Sequence, residues 1–355
     1  MLPPDPTDDR AAGAACAPTA AARLHQRDPQ HARAVTDLVH TALTAPHTAT
    51  DPADRTWAHH LHALVHTRTP PPPTPNSADP RTASLHLFTH TPQPPHHPAQ
   101  HTLAAHHLHH TLTAARQHPH PDTLLYTAAL ATAHWGISAL DPHSLRALGH
   151  DQHTHTERAL TALHGHHPDQ WPHHPIRTRD DLRLPPFTTP HPHDHGVSLG
   201  NIDHLRTAPT TPTAAVSLCR THPSDAPHLD PTHWVRPWLH DRPGANTNLH
   251  HTLTQAAQAV ADLRTEGHHV FLHCWAGASR TPAVAALYAI THLGAHPRTA
   301  LAQTITAVGG HLDNPSLAHA VADLAGTPLH HAHTDLFPQG MGPRRPDLPR
   351  PHETG

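Results

Sequence analysis

Proline limits what this chain can fold into. Each of its 43 prolines in 355 residues removes a backbone donor and clashes with the preceding turn when it falls inside a helix or a central strand. Regular elements must fit between the breaks. Residues 1–66 read as helical: Ala34, Val35, Leu38, Val39 and Leu43 share one stripe, and Trp57, Leu61, Leu64 and Val65 share another. Prolines at 70–73, Pro75 and Asn76 end that run. A short apolar piece (Leu85, Leu87, Phe88) precedes a second break at 92–98. Residues 99–117 and 122–135 read as two further helices, the second with Leu124, Ala128, Ala131 and Trp135 on one face.

The text then changes character. Residues 166–194 are proline, histidine and aspartate with few apolar anchors, and read as a linker. Beyond them come short strand-like runs at Val197, Leu199 and Ile202 and at Ala215, Val216 and Leu218, followed by Trp234, Val235, Trp238 and Leu239. A helix is expected over about 247–264, a strand over 269–272 and a helix over 282–293. Such alternation predicts an α/β layer fold over 195–326. Residues 327–355 are expected to be a disordered tail. Much of the 36% hydrophobic content is alanine, which buries little area per residue, so long stretches are not expected to have a dense core.

Charge and cysteine usage narrow the function. The net charge is −4 with histidine neutral, every cationic side chain is arginine, and no basic domain stands out; a nucleic-acid partner is not expected. No run of 18 apolar residues suits a membrane span, so no membrane partner is expected either. Cys16, Cys219 and Cys274 are too few for a disulfide framework, which points to a reducing cytoplasm. The 50 histidines would carry the chain to about +40 at pH 5.5. The joint enrichment of His, Pro, Thr, Ala and Asp with no Lys fits codon drift better than a dedicated acid sensor. At this density, pairs such as His106/His110 and His62/His66 arise by chance. Nothing in the sequence singles out a closed zinc shell, so neither a metal nor another cofactor is expected.

The chemistry concentrates in His269-Val-Phe-Leu-His-Cys-Trp-Ala-Gly-Ala-Ser-Arg-Thr281. A β run ends at Cys274, Arg280 follows after five residues, and a helix begins. Successive N–H groups of Trp275, Ala276, Gly277, Ala278, Ser279 and Arg280 can point inward at phosphoryl oxygens. The helix N-terminus adds partial positive charge. Arg280 can fork two donors onto two oxygens, and Gly277 allows backbone angles other residues resist. That field favours the thiolate of Cys274, and a thiolate under phosphorus is an in-line nucleophile.

His273-Cys274-x5-Arg280-Thr281 matches the HCx5R[S/T] signature of protein tyrosine phosphatases, and the fuller string from Val270 to Thr281 resembles their dual-specificity subgroup. Val197-Ser-Leu-Gly-Asn201 is similar to that subgroup's opening strand, Val216-Ser-Leu-Cys219 to its next strand, and Asp313-Asn-Pro315 with Leu317 and Leu324 to its closing helix. The resemblance covers about 195–326 and implies a central, mostly parallel sheet with flanking helices. It also implies a general-acid aspartate about thirty residues upstream of the cysteine. Asp241, in Trp238-Leu-His-Asp-Arg-Pro243, has that position, while Asp225 and Asp230 lie farther upstream in a different loop. Ser279 or Thr281 is implied to donate a hydroxyl to Cys274, and His273 to support the loop from behind. Trp275 is an unusual occupant of its place. The implied activity is hydrolysis of phosphotyrosine, with or without phosphoserine and phosphothreonine, through a phosphocysteine. The partner would be a phosphorylated protein or a small phosphate monoester. The competing reading is a catalytically silent module that binds phosphoprotein.

The first half resembles a shortened ADP-ribosylglycohydrolase. The stretch 115–123, followed by Ala128, Trp135, Gly136 and Pro142, is similar to the last conserved part of that family, and 9–13 to its start. The first aspartate of the family's metal-binding loop is replaced by His120, and the carboxylates of its first half are missing, so a two-metal site cannot be assembled. Residues 1–165 are read as a degenerate, inactive helical relative.

Overall fold

The computed structural model describes residues 6–165, 184–207 and 212–348. The described chain divides into two compact units. One comprises residues up to 96 together with 102–165; the other comprises 97–101 and everything from 184 onward.

The first unit is helical: α1 (Pro6–Leu24), α2 (Pro29–Thr44), α3 (Pro52–Thr67), α4 (Pro80–His90), α5 (His106–Arg116), α6 (Thr123–Trp135), α7 (Pro142–Leu148) and α8 (Asp151–His164). Here many prolines start elements rather than end them. Asp28, Asp51, Asp79 and Asp141 each cap a helix whose first residue is proline, and each carboxylate accepts a backbone N–H of the first turn. Proline at that position has no N–H to waste and a φ suited to the helix. The Leu85–Phe88 piece is thus a full helix, α4. Asp79 accepts from the Thr82 N–H and the Thr82 hydroxyl, both at 2.9 Å, and from Arg81 Nη1 at 3.1 Å. We expect Asp79→Ala to cost about 1 kcal/mol in urea unfolding and Asp79→Asn to cost much less. Equal unfolding midpoints for wild type and Asp79→Ala would show that this cap carries nothing.

The core of this unit is denser than its alanine content predicts. Ala11, Ala12, Ala14, Ala15 and Cys16 of α1 are all fully buried, as is most of α6. A Cβ on Gly13 would lie 2.6 Å from the Ile137 nitrogen. Small side chains let the backbones close in, so close packing replaces large buried side chains.

The second unit holds β1 (Thr188–His191), β2 (Asp194–Asn201), α9 (Ile202–Thr207), β3 (Ala214–Ser217), β4 (Trp234–Val235), α10 (Leu249–Thr265), β5 (Val270–Cys274), α11 (Arg280–Leu293), α12 (Pro297–Ala307), α13 (Pro315–Leu324) and α14 (Ala332–Leu336). It is an α/β fold around one five-stranded, mostly parallel sheet in the order β1-β2-β5-β3-β4, with β1 antiparallel at one edge. Strand β5 is central and wholly buried, in register with β2 (Leu199 opposite Leu272) and β3 (Val216 opposite Leu272). Helices α10 and α11 pack on it and on each other. Phe271 joins Leu205, Ala215, Leu229 and Trp234 in an apolar cluster.

Three boundaries differ from expectation, the first being the helix read over 99–117, which begins only at His106. Of the presumed linker, 166–183 lies outside the described residues, but 188–191 forms β1. Its ladder to β2 depends on backbone pairing, and His191 is buried with Nε2 bonded to the Ala285 carbonyl. Of the presumed disordered tail, 327–348 is built into the unit. Leu329, Ala332, Leu336 and Leu348 are buried, and Arg345 is anchored at four points described below. Residues 349–355 lie outside the described residues. Among the described residues, no helix is long and apolar enough to cross a membrane.

Candidate active site

In a parallel sheet the loops after the strands collect at the C-terminal edge, and a central strand delivers its loop to the middle of that edge. Cys274 is the last residue of β5, opposite Asn201 of β2, and is 1% exposed. Residues 275–279 form bends without a hydrogen-bonded turn. Among the described residues, the N–H groups of Ala276, Gly277, Ala278 and Ser279 make no backbone hydrogen bond. Four successive unpaired donors before a helix form an anion cradle. Ser279 is the cap residue of α11 and Arg280 its first residue.

Gly277 is required twice over. Its φ is +71°, and a Cβ there would lie 2.5 Å from the Gly200 carbonyl oxygen. The loop therefore presses on β2 with its backbone. The Trp275 side chain is half-buried, and its carbonyl accepts from the Ile202 N–H at 3.3 Å.

The Arg280 guanidinium is fixed by strand ends. Nη1 donates to the carbonyls of Leu218 (2.7 Å) and Leu239 (3.1 Å), the residues that follow β3 and β4 at the same sheet edge. Its Nε is buried without a hydrogen-bond partner and stands 3.6 Å from Asp241 Oδ2. Burial opposes its charge, but Cys274 and Asp241 outweigh burial and hold the group above its ordinary pKa. A fixed cation with one buried donor to spare is suited to an incoming anion.

Asp241 faces the same loop. Its Oδ1 accepts from the Ser279 hydroxyl at 2.7 Å and from Asn314 Nδ2 at 3.2 Å. The backbone just before it is clamped by Asn246, which accepts the His240 N–H and donates to the His240 carbonyl. Asp225 and Asp230 are engaged elsewhere: Asp225 accepts from Arg206 Nε, and Asp230 caps the turn 231–233.

His273 is fully buried and bonded on both ring nitrogens. Burial pulls its pKa down to about 3, so the ring is neutral. Its Nδ1 faces the Cys274 carbonyl at 3.3 Å, an acceptor, so Nδ1 carries the hydrogen. Nε2 then accepts from the Ser217 hydroxyl at 2.6 Å, and that hydroxyl accepts from Trp234 Nε1 at 2.7 Å. The chain Trp234–Ser217–His273 ties β4 and β3 to the backbone of the nucleophile.

The two candidate hydroxyl donors separate. Ser279 is committed to Asp241, whereas the Thr281 hydroxyl is buried with no hydrogen-bond partner. Burial pushes the Cys219 thiol up to about 12, which keeps it protonated beside the site, and Cys16 is buried in α1.

Three contributors were not assigned to the site from the sequence. Asn314 reaches Asp241 from the start of α13, and Asn246 fixes the approach to it. Arg345 supports the loop from behind: it donates to the Ala276 and Val308 carbonyls, pairs with Asp347, and lies 3.7 Å over the Phe187 ring. Only the Asn-Pro before α13 had a local signal.

In the helical unit, the loop 118–123 is held by histidines of the loop and of α2. Asp122 pairs with His31 at 2.9 Å, and His118 with the Thr123 hydroxyl at 2.8 Å. Asp9 is buried against Ser138, which donates its N–H (2.9 Å) and hydroxyl (2.6 Å). No protein-family model, curated protein or solved structure matches the chain.

Proposed function

We propose that the α/β unit is a cysteine-dependent phosphatase of the tyrosine and dual-specificity type. It would hydrolyse phosphotyrosine, with phosphoserine and phosphothreonine as further substrates, on a phosphorylated protein or a small phosphate monoester. The observation that carries this reading is the buried Arg280 guanidinium beside Cys274 at the end of the central strand, its Nε making no hydrogen bond, next to four N–H groups that make no backbone hydrogen bond.

In the proposed reaction Cys274 Sγ attacks phosphorus in line. The P–O ester bond breaks, and Asp241 gives its proton to the leaving oxygen. The loop N–H groups and Arg280 balance the charge on the equatorial oxygens. Asp241, now a carboxylate, takes a proton from water as that water attacks the phosphocysteine, and thiolate and phosphate leave. The free Thr281 hydroxyl is the available donor to the departing sulfur.

Hydrolysis of an aryl phosphate by the full chain, insensitive to chelator, tests the reading; no turnover would leave only a binding module. Asp241→Asn tests the acid. For a poor leaving group we expect kcat to fall on the order of a hundredfold. For an activated phenolate, which needs no proton, the fall should be far smaller. Equal losses on both substrates would point to misfolding, and no loss on either would remove Asp241 from the reaction.

A further inference from the structure

A different cluster lies at the opposite edge of the sheet. His233 ends the short turn before β4, and Glu266 and His268 occupy the turn between α10 and β5. One ligand atom from each of the three lies within 4.8 Å of the others. The two imidazoles lie with centroids 4.1 Å apart and planes tilted by 47°, and His268 Nε2 stands 3.8 Å from Glu266 Oε2.

We propose that His233, Glu266 and His268 bind one divalent zinc-class cation. Two imidazoles and one carboxylate are a recognised donor set for zinc, with ligand bonds of about 2.0–2.2 Å and a fourth place left to water. The present spacing needs side-chain rotation of roughly 1 Å to reach that shell, and all three residues sit on surface turns, partly or fully exposed. Gly267, at φ +88°, makes the tight turn that brings Glu266 and His268 to one point. An outer contact orients one ring: His268 Nδ1 meets the Thr213 hydroxyl at 3.3 Å, which directs Nε2 toward the cluster. Thr213 also accepts the His269 N–H at 3.1 Å, tying the entry of β3 to that of β5.

The location sets the role. Strand β4 is attached to the sheet through only two residue pairs, Ala215–Trp234 and Val216–Val235. An ion held by His233 on one side and by the α10–β5 turn on the other clamps this short edge strand to its neighbours. Cys274 lies at the far end of β5, so the clamp is structural and separate from the phosphatase chemistry.

The difficulty in testing this is the background of 50 histidines. The full chain, stripped of metal, is titrated with zinc in the presence of a weak competing chelator that suppresses loose sites. One saturable site per chain is expected, together with a raised melting temperature of the α/β unit. His233→Ala, His268→Ala and Glu266→Gln should each weaken that site about tenfold or more and remove the zinc-dependent rise. Glu266 is exposed, so Glu266→Gln leaves the metal-free fold intact and keeps the test valid if either histidine variant unfolds. A control with His109→Ala and His110→Ala, an exposed pair in the helical unit, should keep the site. Absence of a saturable site in the wild type overturns the proposal. So does a site unchanged in Glu266→Gln, or one lost equally in the control.

Discussion

Cys274→Ser is expected to lose turnover by at least about ten-thousandfold while still binding inorganic phosphate. A serine hydroxyl is not ionised at neutral pH, so the attacking electron pair is gone. The anion-binding parts are untouched. Gly277 still presses its backbone on Gly200, Arg280 still hangs from the Leu218 and Leu239 carbonyls, and Arg345 still holds the Ala276 carbonyl. Phosphate should therefore raise the melting temperature of variant and wild type alike. A variant that keeps near wild-type turnover would end the covalent mechanism. A variant that loses both turnover and phosphate binding would show that Cys274 is a structural part of the loop.

The contrast between what was readable and what was not follows from sequence distance. Cys274, the loop and Arg280 are contiguous, and their signal is local: an apolar β run, a glycine at a positive-φ bend, and an arginine at the first turn of a helix. Asp241 was legible only because a resemblance specified where to look. The groups that immobilise these residues come from far along the chain. Asn314 and Arg345 reach the site across long separations, and the carbonyls that fix Arg280 carry no side-chain signature. The zinc-class cluster shows the same limit, since His233 joins Glu266 and His268 only through the sheet order. Proline was misleading in the opposite way. Read as a breaker, it hid α4, whereas Asp-Pro is the start signal for four helices of the first unit.

Acid should open the α/β unit, because its buried histidines are neutral in the fold. In the α/β unit, burial lowers His273 to about 3 and, with nearby Arg280, Arg220 and Arg242, lowers His240 to about 4. Burial also lowers His191. Above pH 6.5 these rings are neutral in both folded and unfolded chains, and the fold has its full stability. As pH falls below 6.5, the unfolded chain takes up protons that the folded chain refuses, so stability drops until the folded pKa is reached. At pH 4.5 His273 and His240 have each removed roughly 2–3 kcal/mol, since one pH unit is worth about 1.4 kcal/mol. Two such sites alone are comparable to the whole stability of a domain, about 5–15 kcal/mol. The helical unit has His40 and His134, both lowered by burial to about 4, and burial also lowers His25, His60, His106, His107 and His155, but it also has Asp9. Burial raises that carboxyl to about 6, so between about pH 6 and 3.8 the folded state holds a proton the unfolded state has lost. That contribution grows as pH falls and opposes the histidines. Hydrogen exchange from pH 7.5 to 4.5, corrected for intrinsic rates, should therefore show β3 and β5 losing protection. His273→Asn, which cannot titrate, should flatten the pH dependence of the α/β unit even though it weakens the fold at neutral pH. If β3 and β5 keep their protection, or the slope in His273→Asn equals that of the wild type, proton uptake by these buried rings does not govern the acid stability of the α/β unit.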